Sequence, residues 1–285
     1  MKQRSLLGLF AMLASAFPAW AGAQAFNPKH YDPWVVYYRD ELPARAFFDY
    51  RLAVFDADKH PPLQPLFERD ITLLGYISFG EVENYRPDFA DVKAAGYMLM
   101  ENPYWPGSYF VDIRDPRWTE RVVGKLAAKV WDAGFHGFFL DTLDNPPHLE
   151  REDPVRFKGM TEAAIRLVKA LRQRYPQAKI MLNRGFELHA DVAKDVDFIL
   201  AESLRARFDS ERKAYVLTPE DEYRQLVASL EATRTRHPQL GIMTLDYWEP
   251  SDAVTLKQIY AGQRARGFLP YVSIPALDRV VVEPK

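Results

Sequence analysis

Phe135-His136-Gly137-Phe138-Phe139-Leu140-Asp141-Thr142-Leu143-Asp144 is the stretch on which the reading of this chain turns. Gly137 to Leu140 is apolar throughout, so no solvated face accounts for the charge that follows. A strand covered on both sides reads this way, and such strands belong to parallel sheets wrapped by helices. The same grammar recurs at Trp34–Tyr38, Leu52–Phe55, Ile71–Ser78, Ile180–Asn183, Phe198–Glu202, Ile242–Tyr247 and Phe268–Ser273. Tyr109–Ile113 reads as an additional strand inside a long connection.

Amphipathic stretches lie between these runs. Asp115-Pro116 places an N-cap and a proline ahead of Trp118, Val122, Leu126 and Val130, spaced for one helix face. Ile165, Val168, Leu171 and Tyr175 repeat the pattern before Pro176. Thr218-Pro219-Glu220-Asp221 opens a third helix carrying Tyr223, Leu226 and Leu230. Ser251 is expected to open the last one and Gly267 to close it at C′. Eight buried strands, most followed by a helix, predict an α/β chain folded as a (β/α)8 TIM-type barrel, with a doubly wound open sheet as the competitor.

The N-terminus reads differently. Lys2 and Arg4 precede the apolar stretch Leu6 to Phe17, and Ala19-Trp20-Ala21-Gly22-Ala23 makes a small-residue exit. That is the pattern of a signal peptide over residues 1–23, cleaved near Ala23. The expected organisation is therefore a leader followed by a single domain over residues 30–282. Secretion or a periplasmic location follows, and the absence of cysteine is compatible with either. No later run approaches membrane-spanning length. The formal charge of −2 argues against an electrostatic nucleic-acid binder. Without cysteine there is no thiol catalysis, no disulfide and no zinc–cysteine or iron–sulfur site. The histidines show no i, i+4 pair of a zinc helix, and no phosphate loop, dinucleotide fingerprint or Gly-x-Ser-x-Gly elbow occurs. No metal and no cofactor are expected.

In a barrel of this kind the reacting groups stand at the C-terminal ends of the strands. Those ends carry Tyr38, Asp56, Ser78-Phe79-Gly80-Glu81, Asp141 with Asp144, Asn183, Glu202, Asp246-Tyr247 and Ser273. Carboxylates beside buried apolar runs are costly unless paired or hydrogen-bonded, so several at equivalent positions suggest one acidic mouth. Any single Asp among them could equally cap the following helix. Asp141 and Glu202 stand out, because each closes an apolar run and Glu is a poor cap. Two carboxylates facing one cavity are the minimum apparatus of glycoside hydrolysis, one attacking or activating water and the other donating a proton to the leaving oxygen. Sequence spacing alone leaves retention and inversion both open. Aromatic residues suited to stacking on sugar rings cluster in the connection after the third strand, including Tyr85, Tyr104 and Trp105, and recur as Tyr247 and Trp248.

Tyr76-Ile77-Ser78-Phe79-Gly80-Glu81 with Tyr85-Arg86, the Gly134–Asp144 block and the isolated Glu202 together resemble glycoside hydrolase family 114, the endo-α-1,4-polygalactosaminidases. The layout also looks like the hydrolase domain of the Pel polysaccharide biosynthesis protein, and the likeness runs from about Trp34 to Ser273. The resemblance implies a secreted glycosidase cleaving α-1,4-linked galactosamine or N-acetylgalactosamine exopolysaccharide, by a two-carboxylate retaining mechanism. By the motif, Asp141 matches the nucleophile and Glu202 the acid/base. Glu81, Asp144 and Asn183 fall at cleft positions, and Tyr38, Asp246, Tyr247 and Trp105 complete the expected substrate-binding set. One departure is His136, where many members have Asp. The expected partner is the polysaccharide alone, with the chain a monomer. The reading from another class is a non-catalytic carbohydrate-binding or export accessory protein on the same fold.

Overall fold

The computed structural model describes residues 26–285; the expected leader over residues 1–23 and its cleavage point lie outside them. In chain order the strands are β1 (Trp34–Tyr37), β2 (Leu52–Phe55), β3 (Thr72–Ser78), β4 (Glu81–Glu83), β5 (Met98–Glu101) and β6 (Ser108–Val111). They continue as β7 (Gly137–Asp141), β8 (Lys179–Asn183), β9 (Phe198–Glu202), β10 (Ala206–Asp209), β11 (Ala214–Leu217), β12 (Gly241–Tyr247) and β13 (Leu269–Ser273). Eight of them pair in parallel in the order β1-β2-β3-β7-β8-β9-β12-β13. Because the order never reverses, there is no switch point, and the doubly wound sheet is excluded. The chain is a (β/α)8 barrel, as expected, and all eight predicted runs became its strands.

The ring closes at a seam between β1 and β13. Instead of a strand ladder, the Trp34 indole N–H donates to the Leu269 carbonyl at 3.0 Å. The Trp34 and Tyr271 rings pack beside that bond with centroids 5.7 Å apart.

The motif around Asp141 shows how period-2 alternation makes both faces apolar. Phe138 turns outward onto Trp131 and Tyr175 of the helix layer, while Phe139 turns inward and stacks on Tyr76. Gly137 is required by close approach, since a Cβ there would lie 1.8 Å from the Lys179 carbonyl oxygen on the neighbouring strand. His136 lies at the opposite end of β7 from the mouth. Its Nδ1 accepts from the Leu73 N–H, and its ring stacks on Phe67.

Helices wrap the outside. Asp115 caps the run beginning at Pro116 by accepting from the Arg117 N–H, and the same run passes through a π-bonded stretch, Glu120–Leu126. Met160–Arg174 buries Ile165, Val168 and Leu171. The helix Glu220–Arg236 has Pro219 at its cap position, with Glu220, Asp221 and Glu222 in its first turn. The last helix, Ala253–Ala265, is capped by Asp252 and not by the expected Ser251, whose hydroxyl is held by Glu249. Gly267 follows it at C′ with φ of +72°. Among the described residues no helix is long and apolar enough to cross a membrane.

Two small sheets escape the sequence reading except for β6. β4, β6 and β5 form an antiparallel sheet over one edge of the mouth, and β10 and β11 form a hairpin. At the opposite end, Phe26 packs under the barrel against Tyr31 and Phe198, and its N–H donates to the Pro238 carbonyl. Among the described residues, packing thus extends ahead of residue 30.

Replacing Trp34 by Phe keeps the ring at the seam but strands the Leu269 carbonyl. The expected cost is about 1–3 kcal/mol of unfolding free energy, read from urea denaturation. An unchanged midpoint would show that the seam does not depend on this bond.

Candidate active site

Inward-facing positions on neighbouring strands bring Tyr76 (β3), Asp141 (β7), Asn183 (β8), Glu202 (β9) and Tyr247 (β12) to the C-terminal mouth. Asn183 lies between the two acids. Its Nδ2 donates to Asp141 Oδ1 at 2.9 Å and to Glu202 Oε2 at 2.6 Å. The Tyr76 hydroxyl donates to Asp141 Oδ2 at 3.0 Å and lies 3.4 Å from Glu83 Oε1. The Tyr247 hydroxyl donates to Glu202 Oε1 at 2.5 Å. Tyr38 packs edge-on against Tyr76, and burial close to Asp141 and Glu202 holds its hydroxyl well above the usual range.

The outer ring of charge is paired. Arg86 reaches Asp56 at 2.9 Å and Glu83 at 3.2 Å on one side. Arg184 reaches Asp144 at 3.0 Å on the other, and its guanidinium also donates to the Glu202 carbonyl. The central acids have neutral donors and no cation. Burial, reinforced by the nearby Glu202, pushes the Asp141 carboxyl up to about 7.

Backbone geometry aims these groups. Thr142, Arg184 and Ser203, each the residue after a site-bearing strand, have φ of 65°, 54° and 57°. Positive φ is uncommon outside glycine and is a genuine outlier for a β-branched residue such as Thr142. The turn at Thr142 is held from β3. Its Oγ1 accepts from the Gly80 N–H at 2.8 Å and shares a hydrogen bond with Ser78 Oγ at 3.0 Å. A Cβ on Gly80 would sit 2.4 Å from the Thr142 carbonyl oxygen, which explains the glycine after Ser78-Phe79.

Asp141, Glu202, Asn183, Tyr38 and Tyr247 therefore meet at one point, with Asp144 on the rim. Two expected substrate-binding residues do not face the mouth. Asp246 is 0% exposed and turns outward; Oδ1 accepts from the Arg205 and Ala206 N–H groups and Oδ2 from Gln263. Its neighbour Tyr247 takes the inward parity instead. Glu81 is 5% exposed, and its carboxylate is taken up by Ser108, Asn102 and Asn145. Trp105 is exposed on the turn between β5 and β6, above that carboxylate. Sequence reasoning missed Tyr76 and Arg184 as site residues. Tyr76 was detectable by parity, because it lies two residues before Ser78 on the same face; nothing local marks Arg184. The acidic cluster Glu150–Asp153 serves the backbone, with Glu150 accepting from the Gly159 and Thr161 N–H groups and Asp153 from Val155 and Arg156.

An eight-stranded parallel barrel with two facing carboxylates at its C-terminal mouth defines the barrel glycosidases as a class. The chain belongs to glycoside-hydrolase family GH114, whose family model matches residues 16–285. It is similar to the glycoside hydrolase domain of PelA from Pseudomonas aeruginosa, with 27% identity and a TM-score of 0.79 over 89% of this chain and 98% of that one. The fold is also that of Ega3 from Aspergillus fumigatus, solved in complex with galactosamine, at 17% identity and a TM-score of 0.65 over 94% of this chain and all of that one. A curated protein of Deinococcus radiodurans is 26% identical over 74% of this chain and 66% of its own length. One of Thermotoga maritima is 24% identical over 49% of this chain and 46% of its own. The chain thus spans about two thirds and about half of the lengths of these curated relatives.

Turnover that needs Asp141 as a carboxylate should rise with pH through about 7, where Asp141 loses its proton. Asn183→Ala removes a donor that lowers the Asp141 pKa. Its acidic limb should therefore move to higher pH, while the maximum drops about 10- to 100-fold through lost alignment. Matched pH–rate profiles read both effects, and a stationary limb would count against the bridge.

Proposed function

We propose that this chain is a secreted glycosidase that cleaves α-1,4-linked galactosamine-containing exopolysaccharide with retention, through Asp141 as nucleophile and Glu202 as acid/base. The observation that carries the reading is the single amide nitrogen bonded to both acids. It limits the separation of the two oxygens it joins to about 5.5 Å. Direct attack uses carboxyl groups about 5–5.5 Å apart, whereas an intervening water needs about 6.5–9.5 Å.

The hydroxyl partners support the division of roles. Tyr76 donates its single hydroxyl proton to Asp141 at 3.0 Å, closer than its 3.4 Å approach to Glu83, a direction that suits an ionised Asp141. Tyr247 has Glu202 as its carboxylate partner and can reverse to accept from the protonated acid. In the productive complex Asp141 is ionised and Glu202 carries the proton to be donated. Asp141 attacks the anomeric carbon while Glu202 protonates the departing glycosidic oxygen. Glu202, now ionised, then takes a proton from the water that releases the glycosyl ester, and two inversions leave the anomeric configuration unchanged.

The substrate class rests on family membership and on charge. Asp56, Glu83, Asp141, Asp144 and Glu202 outnumber Arg86 and Arg184 around the mouth, which suits a cationic amino sugar. Asn183 Oδ1 is buried and has no partner among the described residues, so it can accept from a sugar hydroxyl or ammonium group. Asp144 and Tyr38 line the same opening. We assign export to the leader over residues 1–23, and the catalytic domain to residues 30–282.

Purified protein incubated with partially deacetylated α-1,4-galactosamine polymer should release oligosaccharides visible by mass spectrometry. NMR of the first products should show the α-anomer. Asp141→Asn and Glu202→Gln should each lower kcat/KM by more than about 10³-fold. Wild-type-like turnover in either variant would refute the assignment; binding without release by the wild type would favour the accessory-protein reading. An initial β-anomer would overturn retention alone.

A further inference from the structure

The turn between β5 and β6 lifts two aromatic side chains into solvent, Tyr104 at 83% and Trp105 at 64% exposure. Neither ring stacks on another aromatic among the described residues, so packing does not account for them. Exposed paired aromatics beside a functional mouth ask for a partner.

The support beneath them is unusually specific. Glu81 is buried without a cation, and burial pushes its carboxyl above the ordinary range. Such a group is costly unless fully hydrogen-bonded. Its partners are Asn102 and Ser108, which flank the turn, and Asn145, which follows Asp144 on the rim. Asn102 also uses its Oδ1 to accept from the Tyr104 N–H at 2.9 Å, and the Trp105 N–H donates to the Asn102 carbonyl at 3.2 Å. One carboxylate therefore ties the aromatic turn and the Asp141–Asn145 loop to the same point.

We propose that the Tyr104–Trp105 turn is a sugar-stacking arm that grips a residue of the polymer away from the cleaved bond, and that Glu81 is the positioning residue that fixes it to the rim. The inference rests on the polysaccharide reading above and deepens it. Sugar rings offer apolar faces that an exposed, preorganised indole can cover, and a buried polar network sets its orientation more strictly than an apolar contact does. Shorter chains that do not reach the arm gain nothing from it.

The test compares long α-1,4-galactosamine polymer with a short oligosaccharide of the same linkage. Trp105→Ala should raise KM for the polymer about tenfold, with kcat falling less than twofold and the short substrate showing no such shift in KM. Trp105 is exposed, so this variant should fold. Glu81→Ala should reproduce the KM effect, and the double variant should add little to either single one. Glu81→Gln should restore near-normal KM, because its Oε1 still accepts from both asparagines and its amide can donate to the Ser108 hydroxyl. Equal losses in Glu81→Gln and Glu81→Ala would overturn the positioning role. Unchanged polymer KM in Trp105→Ala would overturn the arm while leaving the glycosidase reading intact. A wild type inert on the polymer would overturn the substrate reading and the arm with it.

Discussion

The amide of Asn183, held between Asp141 and Glu202, is the contact on which the rest of the mouth depends. A carboxylate pair in a buried site repels itself, and the remedies are a cation, a shared proton or neutral donors. This barrel uses neutral donors. The amide has two hydrogens and spends one on each acid, so it fixes their separation as well as easing their charge. Strands β7, β8 and β9 must therefore keep their relative register, because a shift of one residue would turn all three side chains to the helix face.

Holding that register has a conformational cost, and it is concentrated just beyond the strands. Thr142, Arg184 and Ser203 all have positive φ, directly after Asp141, Asn183 and Glu202. Each such residue costs of order 1–3 kcal/mol and persists only where its surroundings leave no alternative. At Thr142 the surroundings are visible: Ser78 and the Gly80 backbone grip its hydroxyl, and Gly80 has no room for a Cβ. The Ser78-Phe79-Gly80 sequence thus serves the Asp141 loop from the neighbouring strand, and the two motifs are one structure.

The barrel was legible because eight buried runs announce themselves by composition, and because chain order alone places their ends at one mouth. What stayed hidden depends on direction. Asp246 and Tyr247 are adjacent at the end of β12, and only the parity of the strand decides that the tyrosine turns inward while the aspartate binds backbone N–H groups behind the sheet. Glu81 ends a motif near the rim, yet its partners lie across a long connection at Asn102, Ser108 and Asn145. β4 and β10 were unreadable as strands for a simpler reason: Glu81-Val82-Glu83 and Ala206-Arg207-Phe208-Asp209 are short and charged, with no apolar run to notice. Local pattern finds buried elements, whereas long-range hydrogen bonds assign the polar residues between them.

Cations are kept one step away from the centre, and this placement has a consequence. Arg86 is absorbed by Asp56 and Glu83, and Arg184 by Asp144. Were either guanidinium to pair with Asp141 instead, its carboxyl would fall below the ordinary range and its charge would be tied up in the ion pair. A two-carboxylate mechanism would then lack a free nucleophile. The rim carboxylates therefore do more than attract a cationic sugar. By occupying the arginines, they leave the central pair to tyrosine and asparagine donors, which steady the charge without neutralising it.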